Sequence, residues 1–483
     1  MAKFENFTLI LGADYRSVWG IFYNQTGTCI KLSLSRQLAH KFFFNLIFII
    51  DRLAGEDAIN LKIACAANQK LDEALVIILL LLKTRDPASI SLNNIAQINL
   101  LEACALEFKL RLGLANQKRI FAFAPIAEES FYVQRFICQD EGVVAEGPIE
   151  TASLALLKVI QPSDYLCGLP LANYHGLTNI LTPSQIYGEI EPSADILMDL
   201  ANKASYNEID IASLEGTIAQ REKHSEASLP FSDLTLVLDA TKGLRVIIFD
   251  AMTIHFSQSW SLHNQGTEIL VPILYHADAI FGLTKPRFSK IACVLGPGSF
   301  TGIRLALTTA QALARCSETQ LCGINSLAAL CLSAKLKYDL PEGSVLWAVT
   351  SAYRNLFHLQ KYLVVQDSVC PQTEPILAGS EQLAQSLDKS DYLCGDGLVK
   401  NLDLQNLVLK DHFLNNVLEA SDQALVRLAK SAIYTKKDLE PLYVRPCDAV
   451  DNLERLAIRQ GLKPDEAKTN FEHILHNKPS SSI

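Results

Sequence analysis

The sequence lacks the residue spacings of several common metal and redox sites. Its twelve cysteines include no CxxC pair, which excludes a zinc ribbon or a thioredoxin-like motif. No two of its ten histidines have the HxxxH or HExxH spacing of a hydrolytic metal site. His473 and His476 are close in sequence, but they fall in a charged tail where a solvated helix face is expected. We therefore expect no metal site, and cysteines that are mostly reduced and buried.

Long apolar runs are missing as well. The most apolar stretches, residues 42–50 and 74–82, have about half of the ~20 residues needed to cross a bilayer. The N-terminal residues lack the cleavage site of a signal peptide. These absences predict a cytoplasmic protein with no membrane partner.

The chain also has no excess of positive charge. It contains 43 Lys and Arg against 52 Asp and Glu, a net charge of −9. Because proteins that bind a phosphate backbone directly usually carry a basic face, we expect any contact with tRNA or other nucleic acid to be indirect. What the chain does have, 49% hydrophobic residues over 483 positions, is typical of a folded protein with several compact units.

A long internal repeat organises the sequence. The hexapeptide SDYLCG occurs at positions 163–168 and again, unchanged, at positions 390–395. Residues 7–13 match 234–240 at the same offset, and residues 62–65 match 290–293 at an offset larger by one. A period of this length predicts a tandem duplication of a whole domain. We place copy one at 1–215, a polar linker at 216–232, copy two at 233–460 and a charged tail at 461–483.

Strands and helices are predicted to alternate in copy two. Apolar patterns indicate strands at 234–239, 244–250, 291–295, 344–349 and 357–365, with helices at 268–281 and 299–316. Trp260 and Trp347 are expected in the core. This order is typical of the α/β class with a mixed sheet.

The most informative segment is a glycine-rich loop between a predicted strand and a predicted helix. It reads GPGSFTGIR, and its site residues are Gly296, Pro297, Gly298, Ser299, Phe300, Thr301, Gly302 and Arg304. Glycines permit backbone torsions that a Cβ would block. Unpaired N–H groups at a helix start can bind an anion, and Ser299 and Thr301 are placed to cap them.

This loop resembles the signature of the TsaB/YeaZ family, and other family features follow in order through nearly all of copy two. The first strand and its turn, with Asp239 and Thr241, resemble the family's opening segment. Leu270-Val271-Pro272 resembles a step in its first helix, and Pro441-Leu442-Tyr443-Val444-Arg445 resembles its closing segment. The resemblance implies an actin-like and sugar-kinase-like, ribonuclease-H-like fold, here as two tandem units of two subdomains each.

Copy two departs from the family pattern at two places. Gly266 stands where the family usually has a histidine, and Ser351-Ala352-Tyr353 with Leu356-Phe357-His358 replaces an Asp-Ala-Arg and Glu-Val-Tyr pattern. Copy one has diverged further, because its counterpart of the loop, residues 68–74, contains no glycine. We expect copy one to keep the fold without the loop, and its run at 74–82 to form a buried helix.

The resemblance implies a non-catalytic subunit that supports a TsaD-like catalytic subunit in N6-threonylcarbamoyladenosine formation at tRNA position 37. It implies a TsaE-like ATPase as a further partner, ATP at the partner interface and no firmly bound cofactor. An internal pseudo-dimer of the two copies is a further hypothesis. The residues expected on the partner-interface helices are Leu270, Ile273, Ile303, Leu307 and Ala310. The alternatives are an ATP-dependent small-molecule kinase, for which Asp239 and Asp396 are the available carboxylates, and a glycoprotease-like metallopeptidase.

Overall fold

The computed structural model describes residues 6–13, 17–23, 29–54, 60–67, 95–127, 130–140, 142–153, 160–168, 185, 192–204, 233–251, 253–261, 266–281, 288–317, 319–353, 356–399 and 401–444. The chain divides into two compact units, the first formed by Met1–Leu234 with Arg245–Pro286 and the second by Thr235–Leu244 with Arg287–Ile483. The predicted linker, the charged tail, the 74–82 run and the loop counterpart at 68–74 lie outside the described residues.

The elements between residues 6 and 204 belong to the first unit. They are β1 (Asn6–Ala13), β2 (Ser17–Tyr23), β3 (Cys29–Ser35), a 3-10 helix (Arg36–Lys41), α1 (Phe42–Ala54), β4 (Asn60–Ala67), β5 (Ile95–Asn99), α2 (Leu100–Leu112), β6 (Arg119–Ala127), β7 (Ser130–Gln139), β8 (Gly142–Ala145), β9 (Glu150–Ser153), β10 (Tyr165–Cys167) and α3 (Ala194–Lys203).

The elements between residues 235 and 431 are shared between the units. They are β11 (Thr235–Asp239), β12 (Leu244–Phe249), β13 (Ile254–Trp260), α4 (Gly266–Phe281), β14 (Lys290–Gly296), α5 (Phe300–Ser317), β15 (Gln320–Asn325), α6 (Ser326–Tyr338), β16 (Val345–Ser351), β17 (Phe357–Val365), β18 (Ser368–Pro371), β19 (Ile376–Ala378), α7 (Ser380–Ser386), β20 (Tyr392–Cys394), 3-10 helices at Asp396–Leu398, Leu402–Leu407 and Lys410–His412, β21 (Phe413–Leu414) and α8 (Asp422–Ser431).

The strands and helices predicted for copy two are confirmed. Each predicted element from residue 234 to 365 is present, and its ends lie close to the predicted ones. Trp260 and Trp347 are buried, as expected. None of the helices among the described residues is long and apolar enough to span a membrane.

The first unit contains two mixed sheets. In one, the strands β3-β2-β1-β4-β5 lie side by side, with β1, β2 and β3 antiparallel and β1, β4 and β5 parallel. In the other, the order is β10-β6-β7-β8, and β10 is parallel to β6.

On its other side, β3 pairs with β13, which lies far from it in sequence. The two strands are antiparallel from Ile30 opposite Trp260 to Leu34 opposite Phe256. Helices α1 and α4 are in contact in the same unit. Residues 245–286, which the repeat assigns to copy two, therefore group with the first unit.

The second unit repeats the same pattern of strand directions. Its strands β18-β17-β16-β20-β21 have an antiparallel set of three, followed by strands parallel to β16. A parallel set, β15-β14-β11, carries the glycine-rich loop after its central strand. An antiparallel meander that continues into parallel strands beside its first strand fits the actin-like, ribonuclease-H-like fold, so the predicted fold class is confirmed.

Candidate functional site

The loop GPGSFTGIR lies in the second unit, between the end of β14 and the start of α5. The helix α5 begins at Phe300 and buries Ile303, Ala306, Leu307, Ala310 and Ala314. These positions follow the spacing of one helix face, and the helix predicted at 299–316 is confirmed. Arg304 and Thr308 are exposed on the opposite face.

Two glycines of the loop allow it to pack directly on the turn that follows β11. A Cβ on Gly302 would lie 1.9 Å from the carbonyl oxygen of Ala240, and a Cβ on Gly298 would lie 2.6 Å from that of Thr241. Neither distance is possible for real atoms without a backbone shift. Gly296 has a φ of +112°, which favours glycine for a different reason. These glycines serve backbone-to-backbone packing inside the chain.

Hydrogen bonds tie the loop to the same turn. The Ser299 N–H donates to the Thr241 carbonyl oxygen at 2.7 Å. The Gly302 N–H donates to Ser299 Oγ at 3.2 Å, and the Ile303 N–H donates to the Ser299 carbonyl oxygen at 2.9 Å. The expectation of outward-pointing, unpaired donors is therefore wrong for these three N–H groups, because the turn and Ser299 accept their hydrogen bonds. Ser299 and Thr301 were both expected to cap the helix. The Ser299 hydroxyl does so by accepting the Gly302 N–H. Thr301 is exposed and makes no capping hydrogen bond to the described residues.

The carboxylates weighed for a kinase are also engaged within the chain. Asp239 Oδ1 accepts hydrogen bonds from the Thr241 N–H at 3.0 Å and from Thr241 Oγ1 at 2.7 Å. Asp396, at the start of a 3-10 helix after β20, lies 2.9 Å from Lys242 Nζ and accepts a hydrogen bond from the Ser351 N–H at 3.2 Å. The ion pair joins the turn after β11 to the end of β20 in the same unit.

The closing segment of the resemblance meets the glycine loop in space. The Leu442 N–H donates to the Leu295 carbonyl oxygen at 2.8 Å. The rings of Phe300 and Tyr443 are stacked with centroids 5.1 Å apart. Arg304 donates from Nε to the Tyr443 hydroxyl at 3.0 Å, and its guanidinium lies 4.0 Å from the centroid of the Phe300 ring. Arg445 lies outside the described residues.

The same segment continues along the outer face of α5. Gln311 donates to the Leu439 carbonyl oxygen at 2.9 Å, and Arg315 donates to Asp438 at 2.6 Å. Both segments can be recognised in the sequence, but no residue spacing predicts that residues 296–304 contact residues 438–443. This contact was missed because it depends on tertiary packing alone.

The residues expected on partner-interface helices are all buried within the chain. Leu270 and Ile273 on α4, and Ile303, Leu307 and Ala310 on α5, have between 0% and 6% of their surface exposed. A partner would contact other residues of these helices. Among the described side chains of α4, the exposed large apolar residues are Val271 and Tyr275, one turn apart, with 63% and 78% of their surface exposed.

The positions that depart from the family pattern are placed as follows. Gly266 is the first residue of α4, and Ser351 is the last residue of β16, directly opposite Phe357 on β17. Tyr353 is exposed, and His358 is buried. No group of three or more His, Cys, Asp or Glu side chains able to hold a metal ion occurs within the part of the chain that the structure describes.

Comparison with known proteins supports a relation to one family over part of the chain. Residues 263–397 match the family model described as TsaD: tRNA N6-adenosine threonylcarbamoyltransferase. This match includes the glycine loop and extends to Asp396 and Gly397. A search of curated proteins finds no match.

Solved structures give further likenesses. An uncharacterized protein with similarity to peptidase YEAZ from Pseudomonas aeruginosa is 19% identical, covers 44% of this chain and 100% of its own, and has a TM-score of 0.37. YeaZ from the same organism is 18% identical, with the same coverage and TM-score. ROK hexokinase from Thermus thermophilus is 17% identical, covers 29% of this chain and 48% of its own, and has a TM-score of 0.19. At these TM-scores the likenesses carry no conclusion on function.

Proposed function

We propose that this chain is a non-catalytic accessory subunit of the TsaB type. It binds a TsaD-like catalytic subunit and supports the transfer of a threonylcarbamoyl group to adenosine 37 of tRNA. The match of residues 263–397 to the TsaD family model supports the pathway. The accessory role rests on one observation. The loop N–H donors and both carboxylates, Asp239 and Asp396, already form hydrogen bonds or an ion pair with other groups of the chain.

The kinase alternative has less support from the same geometry. A phosphoryl-transfer site needs open donors around the phosphates and free carboxylates for magnesium and the acceptor. Here Ser299 N–H, Asp239 and Asp396 are all engaged with other groups. In this proposal ATP is bound at the interface with the partner subunit, and a TsaE-like ATPase joins the same assembly. With a net charge of −9, the chain contacts tRNA through its partners.

The proposed duplication is supported by matching local structures. Both copies of SDYLCG form a short strand, β10 or β20, that is parallel to the first strand of its sheet. In each copy the aspartate, Asp164 or Asp391, is buried and accepts a hydrogen bond from the backbone N–H three residues earlier. In each copy a Cβ on the final glycine, Gly168 or Gly395, would lie 2.1 Å from a carbonyl oxygen.

A second pair of local structures recurs at nearly the same offset. Asn99 caps α2 and donates to Gln134, and Asn325 caps α6 and donates to Gln360. Each cap uses the asparagine Oδ1 as acceptor and the Nδ2 as donor, and each glutamine then donates to a backbone carbonyl. Two such networks at one offset support a common origin for the two halves.

The pairing of β3 with β13 supports an internal pseudo-dimer. In the proposed repeat, β3 and β13 are equivalent strands, and α1 and α4 are equivalent helices. Antiparallel pairing of equivalent strands is isologous, as in a twofold-symmetric dimer. Copy one thus occupies one half of a pair that two separate molecules would otherwise form.

The decisive experiment is co-purification of the full chain with the TsaD-like protein of the same organism. We expect capture of TsaD and stimulation of threonylcarbamoyl transfer to tRNA, with no ATP turnover and no stoichiometric zinc or iron in the isolated chain. Replacing Val271 and Tyr275 on α4 by serine should reduce capture. Ile433, which is 93% exposed, provides the matched control as Ile433→Ser. Failure of the wild-type chain to bind TsaD would overturn the proposal.

A further inference from the structure

Ile433 has 93% of its surface exposed, more than any other large apolar side chain in the described part of the chain. It lies just beyond the end of α8, in the second unit. The residues that follow it are anchored. The Tyr434 hydroxyl donates to the Ala429 carbonyl oxygen at 3.0 Å. Thr435 exchanges two backbone hydrogen bonds with Leu321 of β15. Ile433 is therefore exposed on a segment that packs against the rest of its unit.

Basic side chains precede and follow Ile433 along the chain. Arg427 and Lys430 are three residues apart on α8, so they lie on one side of the helix, and both are exposed. Lys436 and Lys437 follow the anchored segment and are exposed as well. These two pairs place four cations close to Ile433 in sequence.

A fifth cation comes from a distant part of the sequence. Lys290, the first residue of β14, is exposed, and its Nζ lies 5.2 Å from the centroid of the Tyr434 ring. Because Tyr434 directly follows Ile433, this contact brings Lys290 to the same region. The six residues that we call the Ile433 surface are Lys290, Arg427, Lys430, Ile433, Lys436 and Lys437.

The positive charge of the Ile433 surface contrasts with the rest of the chain. The whole chain has a net charge of −9, whereas this surface contains five cations and no acidic residue. Asp438, the next residue along the chain, pairs with Arg315 at 2.6 Å, and Asp422 lies at the other end of α8. A local excess of one charge attracts groups of the opposite charge. The Ile433 surface therefore favours an anionic partner.

The equivalent helix of copy one does not carry this charge. In the proposed repeat α3 corresponds to α8, and it makes matching contacts, with α2 and β5 where α8 contacts α6 and β15. In this alignment Asp199 and Asn202 of α3 stand where α8 has Arg427 and Lys430. The same helix packing is thus formed without the two cations. Packing therefore does not account for the basic side chains of α8.

Three classes of anionic partner differ in what else they require. Single-stranded RNA needs aromatic rings on which its bases stack, whereas Tyr434 is half-buried beneath Lys290. A lipid surface needs a helix with a wide exposed apolar face, whereas the apolar residues of α8 pack into the core of the second unit. A protein partner needs only an apolar contact with a charged rim, which the Ile433 surface provides.

We propose that the Ile433 surface docks an acidic segment of a partner protein. An apolar side chain of that segment contacts Ile433, and its carboxylates pair with the surrounding lysines and with Arg427. Because these pairs are exposed, they contribute mainly to the rate of association and make it sensitive to salt. The Ile433 surface belongs to the second unit, whereas Val271 and Tyr275, proposed for the TsaD-like subunit, belong to the first. The two proposals can therefore fail separately.

The first test titrates the full chain into fluorescein-labelled peptides and measures fluorescence anisotropy. The probe is a short peptide of glutamates around two central leucines, and the control peptide has serines in place of the leucines. We expect the wild type to bind the leucine peptide saturably and the serine peptide about threefold to tenfold more weakly, since the apolar contact is lost. Ile433→Ser should bind both peptides equally. No saturable binding, or equal binding of the two peptides by the wild type, overturns the proposal.

A second test separates the Ile433 surface from the charge of the chain as a whole. The double variant Arg427→Glu with Lys437→Glu reverses two charges of the surface. The matched control is Lys389→Glu with Lys410→Glu, which reverses two exposed charges elsewhere in the same unit. We expect the first variant to bind the leucine peptide at least tenfold more weakly, and the second to change binding by less than about threefold. Equal losses in the two variants overturn the proposal.

The class of partner is tested by titrating the same variants with tRNA and with vesicles that contain phosphatidylserine. We expect the wild type to bind both more weakly than the leucine peptide. Tighter binding of tRNA or of vesicles that is lost in the Arg427→Glu, Lys437→Glu variant overturns the protein partner in favour of nucleic acid or lipid. No TsaD-like protein is present in these measurements, so their failure leaves the proposed accessory role intact.

Discussion

Replacing Gly302 by alanine gives a sharp test of the close packing of the glycine loop. Gly302 lies inside α5, where alanine is favoured over glycine by about 1 kcal/mol on helix propensity alone. The alanine Cβ, however, would lie 1.9 Å from the Ala240 carbonyl oxygen, which belongs to backbone and cannot rotate away. Overpacking of this kind costs about 1–3 kcal/mol or more. Because the clash is with backbone, its cost lies at or above the upper end of this range, and we expect a net loss of about 2 kcal/mol or more in the free energy of unfolding.

The measurement is chemical denaturation of the wild type, Gly302→Ala and Gly379→Ala, followed by circular dichroism. Gly379 is the matched control in the same unit, because its nearest non-neighbouring atom would be 4.0 Å from a new Cβ and its φ is −89°. Gly379 is the N-cap of α7, where alanine is less favourable than glycine, so we expect Gly379→Ala to lose less than about 1 kcal/mol. A Gly302→Ala chain as stable as the wild type, or more stable, would refute the close packing on Ala240.

Three further predictions use other sites. Burial lowers the pKa of His276 to about 4, so the folded chain favours the neutral ring. The stability that depends on the neutral ring is complete above the ordinary pKa of 6.5 and decreases as the pH falls towards 4. The full shift corresponds to ~3 kcal/mol, which partial solvent access reduces to about 1–2 kcal/mol. Denaturation at pH 7 and 4.5 should show this loss in the wild type and not in His276→Phe. Asp164→Ala should cost about 3 kcal/mol in thermal unfolding, since it leaves the Arg119 guanidinium unpaired. Asp391→Ala should cost about 1–2 kcal/mol, because its main side-chain partner is the neutral indole N–H of Trp347; equal costs would contradict this difference. Lys242→Met should change stability by less than about 1 kcal/mol, since its ion pair with Asp396 is partly exposed, and ATP turnover by this variant would contradict the structural role of that pair.

The sequence was sufficient for the local elements and insufficient for their contacts. Strand and helix patterns in copy two depend on residues close in the chain, so 234–239, 291–295 and 299–316 were placed correctly. The glycines at 296, 298 and 302 indicated a tight strand-to-helix connection. Whether their donors meet an anion or the turn at 240–241 depends on packing between segments that are distant in the chain, which periodicity does not report.

The division into compact units does not follow from the predicted repeat. The match between residues 163–168 and 390–395 predicts two copies with a boundary near residue 216. The compact units divide differently, because β13 and α4 pack on β3 and α1. The recurrence of the Asn99 and Asn325 caps was also missed. A single pair of matching asparagines does not indicate a repeat. The match becomes informative only once their hydrogen bonds to Gln134 and Gln360 are known.

The contact of Tyr443 with Phe300 and Arg304 has a consequence for biosynthesis. A ribosome releases the glycine loop long before it releases the segment that covers it. Since domains begin to fold during synthesis, the nascent chain carries an uncovered Phe300 ring while the intervening residues are made. A premature stop before codon 442 would leave that aromatic surface permanently open to chaperones and proteases.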